Sequence, residues 1–207
     1  MPASTATLYH VHDPMCSWCW GYRRTWDALC TLLPKKLAVV YVAGGLAPDT
    51  DEPMPLEQQK LIAGYWRDVH AKTGAAFNYH FWLLCQPRRS TYPACRAVLT
   101  ARLQGAEEAM IHAIQEGYYL RAMNPSDSAT LIQLASDIGI NKQQFSVDLT
   151  SPAIQSELEK EFVLRRRLGV SSFPSLVVEH RETLTPLPID YLDHRPTLDS
   201  LESILQV

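Results

Sequence analysis

The sequence predicts an α/β fold that carries a large all-helical insertion. Strand and helix patterns alternate in residues 1–48 and again in residues 151–207. Between these two stretches, roughly a hundred residues contain no convincing strand pattern. Two cysteines separated by two residues lie where the first strand gives way to the first helix. We therefore assign residues 1–48 and 151–207 to one α/β domain and residues 49–150 to a helical insertion domain.

Composition restricts the classes of function. The 207 residues fit one domain with an insertion, and a hydrophobic content of 46% with 20% charged residues is typical of a globular protein. The formal net charge of −3 argues against nucleic acid or an anionic membrane as a partner. No apolar run is long enough to span a bilayer, and residues 1–7 lack the pattern of a signal peptide. We therefore expect a cytoplasmic protein.

The first third of the chain predicts a strand–helix–strand unit. Thr7–His12 alternates like a strand and is ended by Asp13-Pro14. The next segment has one apolar face at helical spacing, formed by Cys19, Tyr22, Trp26, Leu29, Cys30 and Leu33, and Pro34 is expected to end that helix. The apolar run 37–43 predicts a buried second strand, parallel to the first.

The middle of the chain predicts helices over residues 56–73, 91–104, 106–123 and 128–138, with a short helix opened by Asn141. The first of these is expected to end at Gly74 and to bury Leu61, Ile62, Tyr65 and Val69. The aromatic residues of segment 77–82 fit either core packing or a groove that faces the cysteines.

The last part predicts a return to alternating elements. Ser151 can cap a helix with Ile154, Leu158, Glu161 or Phe162, and Leu168 on its inner face. The run Arg165 to Arg167 is interpreted as a solvated helix end. A strand over 175–179, a turn at 180–182, a returning strand over 183–187 and a helix from 196 complete the chain.

The segment DPMCSWCWG at residues 13–21 carries the strongest chemical signal. A Cys-x-x-Cys pair at a helix N-terminus favours a thiolate on Cys16, with Cys19 able to attack a disulfide formed there. The pair could instead be half of a zinc site, or two ordinary half-buried thiols. A zinc site needs a second pair of ligands, and Cys30, Cys85 and Cys95 are scattered without such spacing. We therefore predict a redox dithiol and no metal, although Cys85 and Cys95 could pair under oxidation.

Tryptophans flank the second cysteine. Trp18 is expected to be exposed and to form an apolar lip that receives a peptide substrate. Trp20 could belong to the same lip or could pack inside the helix face. These two alternatives are left open.

Polar residues before the cysteines are possible modulators. Asp13 is most simply a turn residue ahead of Pro14, but it could accept the proton of Cys19 during resolution. His10 and His12 share one strand face near the dithiol, where either could tune the thiolate or simply be packed.

Pro174 precedes a predicted strand, where a proline cannot donate to the ladder of hydrogen bonds. A cis Phe173–Pro174 bond in a tight turn is one solution, and it would leave the Phe173 backbone able to pair with a substrate peptide. The residues alone do not fix the isomer.

Together, DPMCSWCWG at 13–21 and GVSSFPSLVV at 169–178 resemble the DsbA-like branch of the thioredoxin superfamily. The chain is most similar there to cytosolic, FrnE-like predicted disulfide isomerases. The resemblance covers essentially the whole length, and it implies a thioredoxin-like fold, a Cys16 nucleophile, a resolving Cys19 and a cis Pro174. DsbA has histidine where this chain has Trp18. We therefore expect a Cys16 pKa that is below that of free cysteine but above that of the strongest oxidant in the superfamily. The dithiol should correspondingly be less oxidising than in that oxidant.

The predicted function is that of a thiol–disulfide oxidoreductase or disulfide isomerase acting on protein or peptide substrates through a mixed disulfide. We expect no bound cofactor, with glutathione as a possible co-substrate, and the oligomeric state is not predicted. The alternative is a glutathione-dependent transferase or isomerase similar to the kappa-class transferases and chromene-carboxylate isomerases. Their active position is typically serine, whereas both thiols are present here. A third alternative is a chaperone-like binding module.

Overall fold

The computed structural model describes residues 6–206, so the part of the signal-peptide prediction that concerns residues 1–5 lies outside the described residues. The strands are β1 Thr7–His12, β2 Ala38–Ala43, β3 Ser175–His180 and β4 Thr183–Leu187. The helices are α1 Ser17–Cys30, α2 Leu56–Thr73, α3 Phe81–Leu84, α4 Tyr92–Arg102, α5 Glu107–Tyr119, α6 Ser128–Asp137, α7 Lys142–Leu149, α8 Pro152–Arg167 and α9 Arg195–Leu205.

The four strands form a mixed sheet in the order β2-β1-β3-β4. Strands β1 and β2 are parallel, as the strand–helix–strand pattern predicts, whereas β3 is antiparallel to both β1 and β4. The prediction that the second strand is buried is only partly right: β2 lies at an edge of the sheet, and of its six residues two are buried, three are half-buried and one is exposed. The β3–β4 turn places Arg181 and Glu182 at positive φ, the pairing that suits a tight hairpin.

Helices cover both faces of the sheet. On one face, Leu8 and Leu176 pack with Tyr22 and Trp26 of α1 and with Leu201 of α9. On the other face, Val11, Val42 and Val177 pack with Leu168 at the end of α8. Successive side chains of β1 therefore point to opposite faces of the sheet, so that one set packs against α1 and the other set packs against α8.

Helices α2 to α7 lie between β2 and α8 in the chain, as the fold prediction requires. Helix α2 ends at Gly74 in the left-handed conformation, and Asn141 and Ser151 cap α7 and α8 as predicted. Helix α1 ends at Cys30, several residues before the expected stop at Pro34. The domain boundaries at 48/49 and 150/151 stay a prediction.

The predicted inner face of α2 is partly wrong. Ile62 and Val69 are buried, but Leu61 and Tyr65 are 54% and 45% exposed, and the central buried residue is Trp66. The aromatic segment packs around Trp66, with ring centroids 5.2 Å from Phe77 and 4.9 Å from Trp82. The core-packing alternative therefore describes this segment.

One ion-pair network joins the helical block to the sheet. Arg102 of α4 donates to Glu107 of α5 and to Glu161 of α8, and also to the backbone oxygen of Tyr41 in β2. Glu161 accepts in addition from the backbone N–H of Ala43. One network of ion pairs and hydrogen bonds thus joins helices α4, α5 and α8 to strand β2.

Within residues 6–206, the helices are too short or too polar to cross a membrane.

Candidate active site

The dithiol lies at the junction of β1 and α1. Cys16 is the residue that caps the N-terminus of α1, with extended backbone and no side-chain cap, and its backbone N–H donates to the oxygen of Asp13 at 3.0 Å. The Asp13-Pro14 turn therefore aims the Cys16 thiol at the unpaired amides of a 14-residue helix. Cys19 lies one turn further along, on the buried face of that helix.

The two thiols differ in acidity. The hydrogen bond from the Cys19 thiol lowers the pKa of Cys16, burial opposes this, and the backbone amides of Cys19 and Trp18 lower it further. Burial raises the pKa of Cys19 well above the usual value, and its hydrogen bond to Cys16 adds to the rise. Cys16 is therefore the group that ionises first, and Cys19 retains its proton.

Both thiols are largely covered by protein. Only 7% of Cys16 and 4% of Cys19 is exposed. All five cysteines carry free thiols, and Cys85 and Cys95 contact the Ala122 oxygen and Asp13, respectively.

The second wall of the site is the turn before β3. The Phe173–Pro174 peptide bond is cis, and the oxygen of Phe173 lies 3.6 Å from the sulfur of Cys16. Pro174 is buried and Phe173 half-buried. A side chain at position 44 would clash with this turn, because a Cβ atom on Gly44 would lie 2.7 Å from the Phe173 ring. The structure thus brings Cys16, Phe173 and Pro174 together from segments far apart in the chain.

The two tryptophans have different surroundings. The expectation that Trp18 is exposed is wrong, because its side chain is half-buried and its ring centroid lies 5.1 Å from that of Tyr191. Trp20 stacks on Tyr119 of α5 at 5.6 Å and donates its indole N–H to the oxygen of Ala76 at 3.0 Å. Trp20 therefore packs against the helical block, whereas Trp18 packs against Tyr191.

Asp13 is fully buried and does more than shape a turn. Its Oδ1 accepts from the backbone N–H of Met15 at 2.8 Å, and its Oδ2 accepts from the N–H of Leu46 and the hydroxyl of Thr91, both at 2.7 Å. Burial raises the pKa of Asp13, and these hydrogen bonds lower it. The carboxylate therefore ties the turn before Cys16 to the chain beyond β2 and to the start of α4.

His10 and His12 are both buried, with ring centroids 5.4 Å apart. Burial, reinforced by the charge of Arg102, lowers the pKa of His12 to about 3. Burial, reinforced by His12, lowers the pKa of His10 well below 6.5. Both imidazoles are therefore neutral at physiological pH. Their predicted influence on the thiolate stays a prediction.

For Arg165, the prediction of a solvated helix end is wrong. Instead of a solvated helix end, its guanidinium donates to the oxygen of Gly44 and lies 5.5 Å from the Phe162 ring and 5.9 Å from the Phe173 ring. The signal was available, because Arg165 follows Phe162 by three residues and so shares its helix face. Arg165 thus supports the turn that faces Cys16.

The chain is similar to known proteins in sequence and in structure. A family model described as thioredoxin matches residues 9–185. A ClpXP adapter protein, SpxH, from Bacillus subtilis is 22% identical over 196 residues, covering 92% of this chain and 64% of its own. The chain thus spans somewhat less than two thirds of the length of that curated relative.

Solved structures are similar over almost the whole chain. A candidate protein disulfide isomerase from Nitrosomonas europaea is 28% identical with a TM-score of 0.85, and 98% of each chain is covered. The cytosolic disulfide reductase DsbM from Pseudomonas aeruginosa is 23% identical with a TM-score of 0.77, and 97% of each chain is covered. At 23% identity, the likeness to DsbM is evidence for a shared fold alone.

Proposed function

Because this chain belongs to the thioredoxin family, we infer that it is a thiol–disulfide oxidoreductase that works through Cys16 and Cys19. The observation that carries the inference is the position of Cys16 at the N-terminus of α1, with Cys19 one turn further along and the Phe173 oxygen 3.6 Å from the Cys16 sulfur. In this position the pKa of Cys16 is lowered and that of Cys19 is raised. A thiolate beside a protonated thiol is the pair that disulfide exchange requires. The likeness to a candidate disulfide isomerase from Nitrosomonas europaea supports the same chemistry.

The reaction proceeds in two exchanges. The Cys16 thiolate attacks one sulfur of a substrate disulfide, so that a Cys16–substrate disulfide forms and the other substrate sulfur leaves as a thiolate. Cys19 then loses its proton and attacks Cys16, which releases the second substrate thiolate and leaves an internal Cys16–Cys19 disulfide. The substrate gains two electrons and the dithiol loses two. In isomerisation, a substrate thiol releases Cys16 instead.

Trp18, Phe173 and Pro174 are proposed as the substrate contacts. Phe173 supports this role because its backbone oxygen lies 3.6 Å from the Cys16 sulfur. Trp18 supports it because it lies between Cys16 and Cys19 in the chain and its side chain is half-buried. A peptide that lies along Phe173 would present its disulfide to the exposed part of Cys16.

Proteins and peptides with disulfides are the proposed substrates, in a cytoplasmic setting. The Pseudomonas aeruginosa neighbour is described as cytosolic and was also solved with GSH. We extend the proposal to glutathione as a co-substrate that restores the dithiol, with no other cofactor. A transferase or isomerase of the kappa-class type is not favoured, because both thiols are present and differ in pKa.

Substitution of each cysteine tests the mechanism. Cys19→Ser should accumulate a mixed disulfide with a peptide substrate, and Cys16→Ser should abolish reduction of insulin disulfides. Cys30→Ser is the matched control, because Cys30 lies on the same helix but outside the motif. Undiminished insulin reduction by Cys16→Ser would show that the assigned nucleophile is wrong.

The direction of electron flow is tested by equilibration with a glutathione redox buffer. With Trp18 between the cysteines in place of a cationic residue, and with the Asp13 charge raising the Cys16 pKa, the dithiol should be less oxidising than the strongest oxidants of the superfamily. A potential near the reported DsbA value of about −120 mV would contradict this expectation.

A further inference from the structure

The guanidinium of Arg165 is held beside the turn that faces Cys16. It donates to the backbone oxygen of Gly44, the residue that follows β2, and lies 5.9 Å from the centre of the Phe173 ring. The backbone oxygen of the same Phe173 lies 3.6 Å from the Cys16 sulfur. Phe173 therefore has its backbone beside the reactive cysteine and its ring beside the arginine.

Arg165 has hydrogen-bonding capacity that the described part of the chain leaves unused. Its Nε is buried and has no partner among residues 6–206, and the Gly44 oxygen is the acceptor for its Nη1. A guanidinium has five N–H donors, and its fork shape suits a carboxylate. The side chain is half-buried, so an anion would bind to its terminal nitrogens, not to the covered Nε. Because contacts with Gly44 and with the Phe162 and Phe173 rings already restrict this side chain, such binding would cost little conformational entropy.

The positive charge of Arg165 is not balanced by a neighbouring carboxylate. Glu161, one turn earlier on α8, is paired with Arg102 at 2.8 Å. Glu179 of β3 is paired with Arg167 at 2.9 Å. Within residues 6–206, Arg165 itself has no ion-pair partner. The C-terminus of α8 contributes only about half a negative charge, so this side of the site attracts anions.

This charge lies where a bound substrate would pass. A peptide that pairs with the Phe173 backbone places its own cysteine against Cys16. The next residue of an extended peptide lies about 3.3–3.6 Å further along. The groups adjacent to the substrate cysteine would therefore lie near the Phe173 turn, and the guanidinium beside that turn is Arg165.

We propose that Arg165 is a binding residue for a substrate carboxylate that lies next to the reacting cysteine. Glutathione has such a group on its glycine, and a protein substrate has one where Asp or Glu follows the cysteine. The inference deepens the proposed function and rests on it. The carboxylate accepts from the terminal nitrogens of the guanidinium. Arg165 acts by binding and takes no part in the exchange of sulfurs.

The rate of the first exchange tests this site, and Cys19→Ser isolates that exchange. The Cys16 thiolate attacks oxidised glutathione, so that a Cys16–glutathione disulfide forms and one glutathione leaves as a thiolate. Mass spectrometry after an acid quench counts the product. Arg165→Met, made in the Cys19→Ser protein, should lower the second-order rate constant by roughly tenfold, the effect of losing one hydrogen bond to a charged group.

The disulfide of glutathione ethyl ester separates binding from mere support of the turn. It keeps the disulfide bond but blocks both glycine carboxylates. Arg165→Met should therefore leave its rate unchanged. Arg166→Met is the matched control, because Arg166 is the next residue of α8, is exposed and carries the same charge, and it should slow neither reaction. Equal slowing of both reactions by Arg165→Met would show that Arg165 only supports the turn, and would overturn the proposal.

Peptide disulfides identify the source of the carboxylate. A peptide in which Glu follows the cysteine is compared with the same peptide carrying Gln. A loss in Arg165→Met that is confined to oxidised glutathione assigns the site to glutathione. A loss that also occurs with the Glu peptide, and not with the Gln peptide, extends the site to protein substrates.

The Cys19→Ser protein with Arg165 intact offers a second measurement, should Arg165→Met fail to fold. Each rate is divided by the rate of the same disulfide with dithiothreitol, which removes differences in intrinsic reactivity. At low ionic strength, oxidised glutathione should then react faster than the ester disulfide, and the difference should narrow in high salt because ions screen the charges. Equal rates at low ionic strength would overturn the carboxylate site. Failure of Cys16 to form a mixed disulfide with any of these compounds would instead overturn the proposed function.

Discussion

The buried state of His12 predicts a specific loss of stability in acid. His12 is 2% exposed, and its pKa falls from 6.5 to about 3 in the folded chain. Between these two values, the unfolded chain binds a proton at His12 that the folded chain does not. The free energy of unfolding must therefore decrease as the pH falls through this window.

The magnitude follows from the two pKa values. Each pH unit well inside the window contributes about 1.4 kcal/mol to the change in the free energy of unfolding. Because His12 of the unfolded chain is only partly protonated near pH 6.5, the total between pH 7 and pH 5 is about 2 kcal/mol. For a protein of ordinary stability, about 5–15 kcal/mol, this is a large fraction. The contribution of His12 is fully present above about pH 7 and is progressively lost below it.

Urea unfolding at several pH values measures this contribution directly. The unmodified protein should lose about 2 kcal/mol more than His12→Gln between pH 7 and pH 5, because glutamine does not titrate. His10 acts in the same direction and Asp13, with its raised pKa, in the opposite one, but both remain in the two proteins and cancel in the difference. Parallel stability curves for the two proteins would refute the neutral, buried state of His12.

Two further predictions concern the turn and the helix of the dithiol. Asp13→Asn removes a negative charge that raises the Cys16 pKa, so an ultraviolet titration of the thiolate should give a lower pKa than in the unmodified protein; an unchanged or higher pKa would contradict this. Gly21→Ala should lower the free energy of unfolding by about 1–3 kcal/mol, because the added Cβ would lie 2.6 Å from Val69. The control Gly64→Ala meets nothing closer than 3.7 Å and should be neutral or stabilising by up to about 1 kcal/mol, so equal thermal shifts for the two variants would count against the close α1–α2 contact.

Local signals in the sequence were sufficient where short-range physics decides the structure. Alternation predicts β1, the helical spacing predicts α1, and capping chemistry at Asn141 and Ser151 places the starts of two helices. The two motifs around Cys16 and Pro174 were sufficient to indicate that distant segments form one site.

Features that depend on neighbouring elements were not predictable in this way. An apolar run does not reveal whether a strand is central or at an edge, so β2 was expected to be buried. The buried face of α2 was set by the aromatic residues that surround Trp66, and the periodicity admitted Leu61 and Tyr65 equally well.

Polar residues near the dithiol were the hardest to place. Nothing in the sequence indicates that Asp13 reaches Thr91, or that His10 and His12 are both buried. Each of these positions depends on contacts between residues far apart in the chain, and such contacts leave no periodic pattern.

The Arg102 network limits how this protein can adapt to substrates of different sizes. Its guanidinium is bonded to carboxylates of α5 and α8 and to a β2 carbonyl, so swinging the helices away from the sheet would separate charges that are partly withdrawn from water. For the proposed oxidoreductase, we therefore expect substrates of different shape to be accommodated by side chains near the dithiol, such as Trp18 and Tyr191. Selectivity should accordingly respond to exchange of these aromatic residues far more than to changes on the distant surface of the helical block.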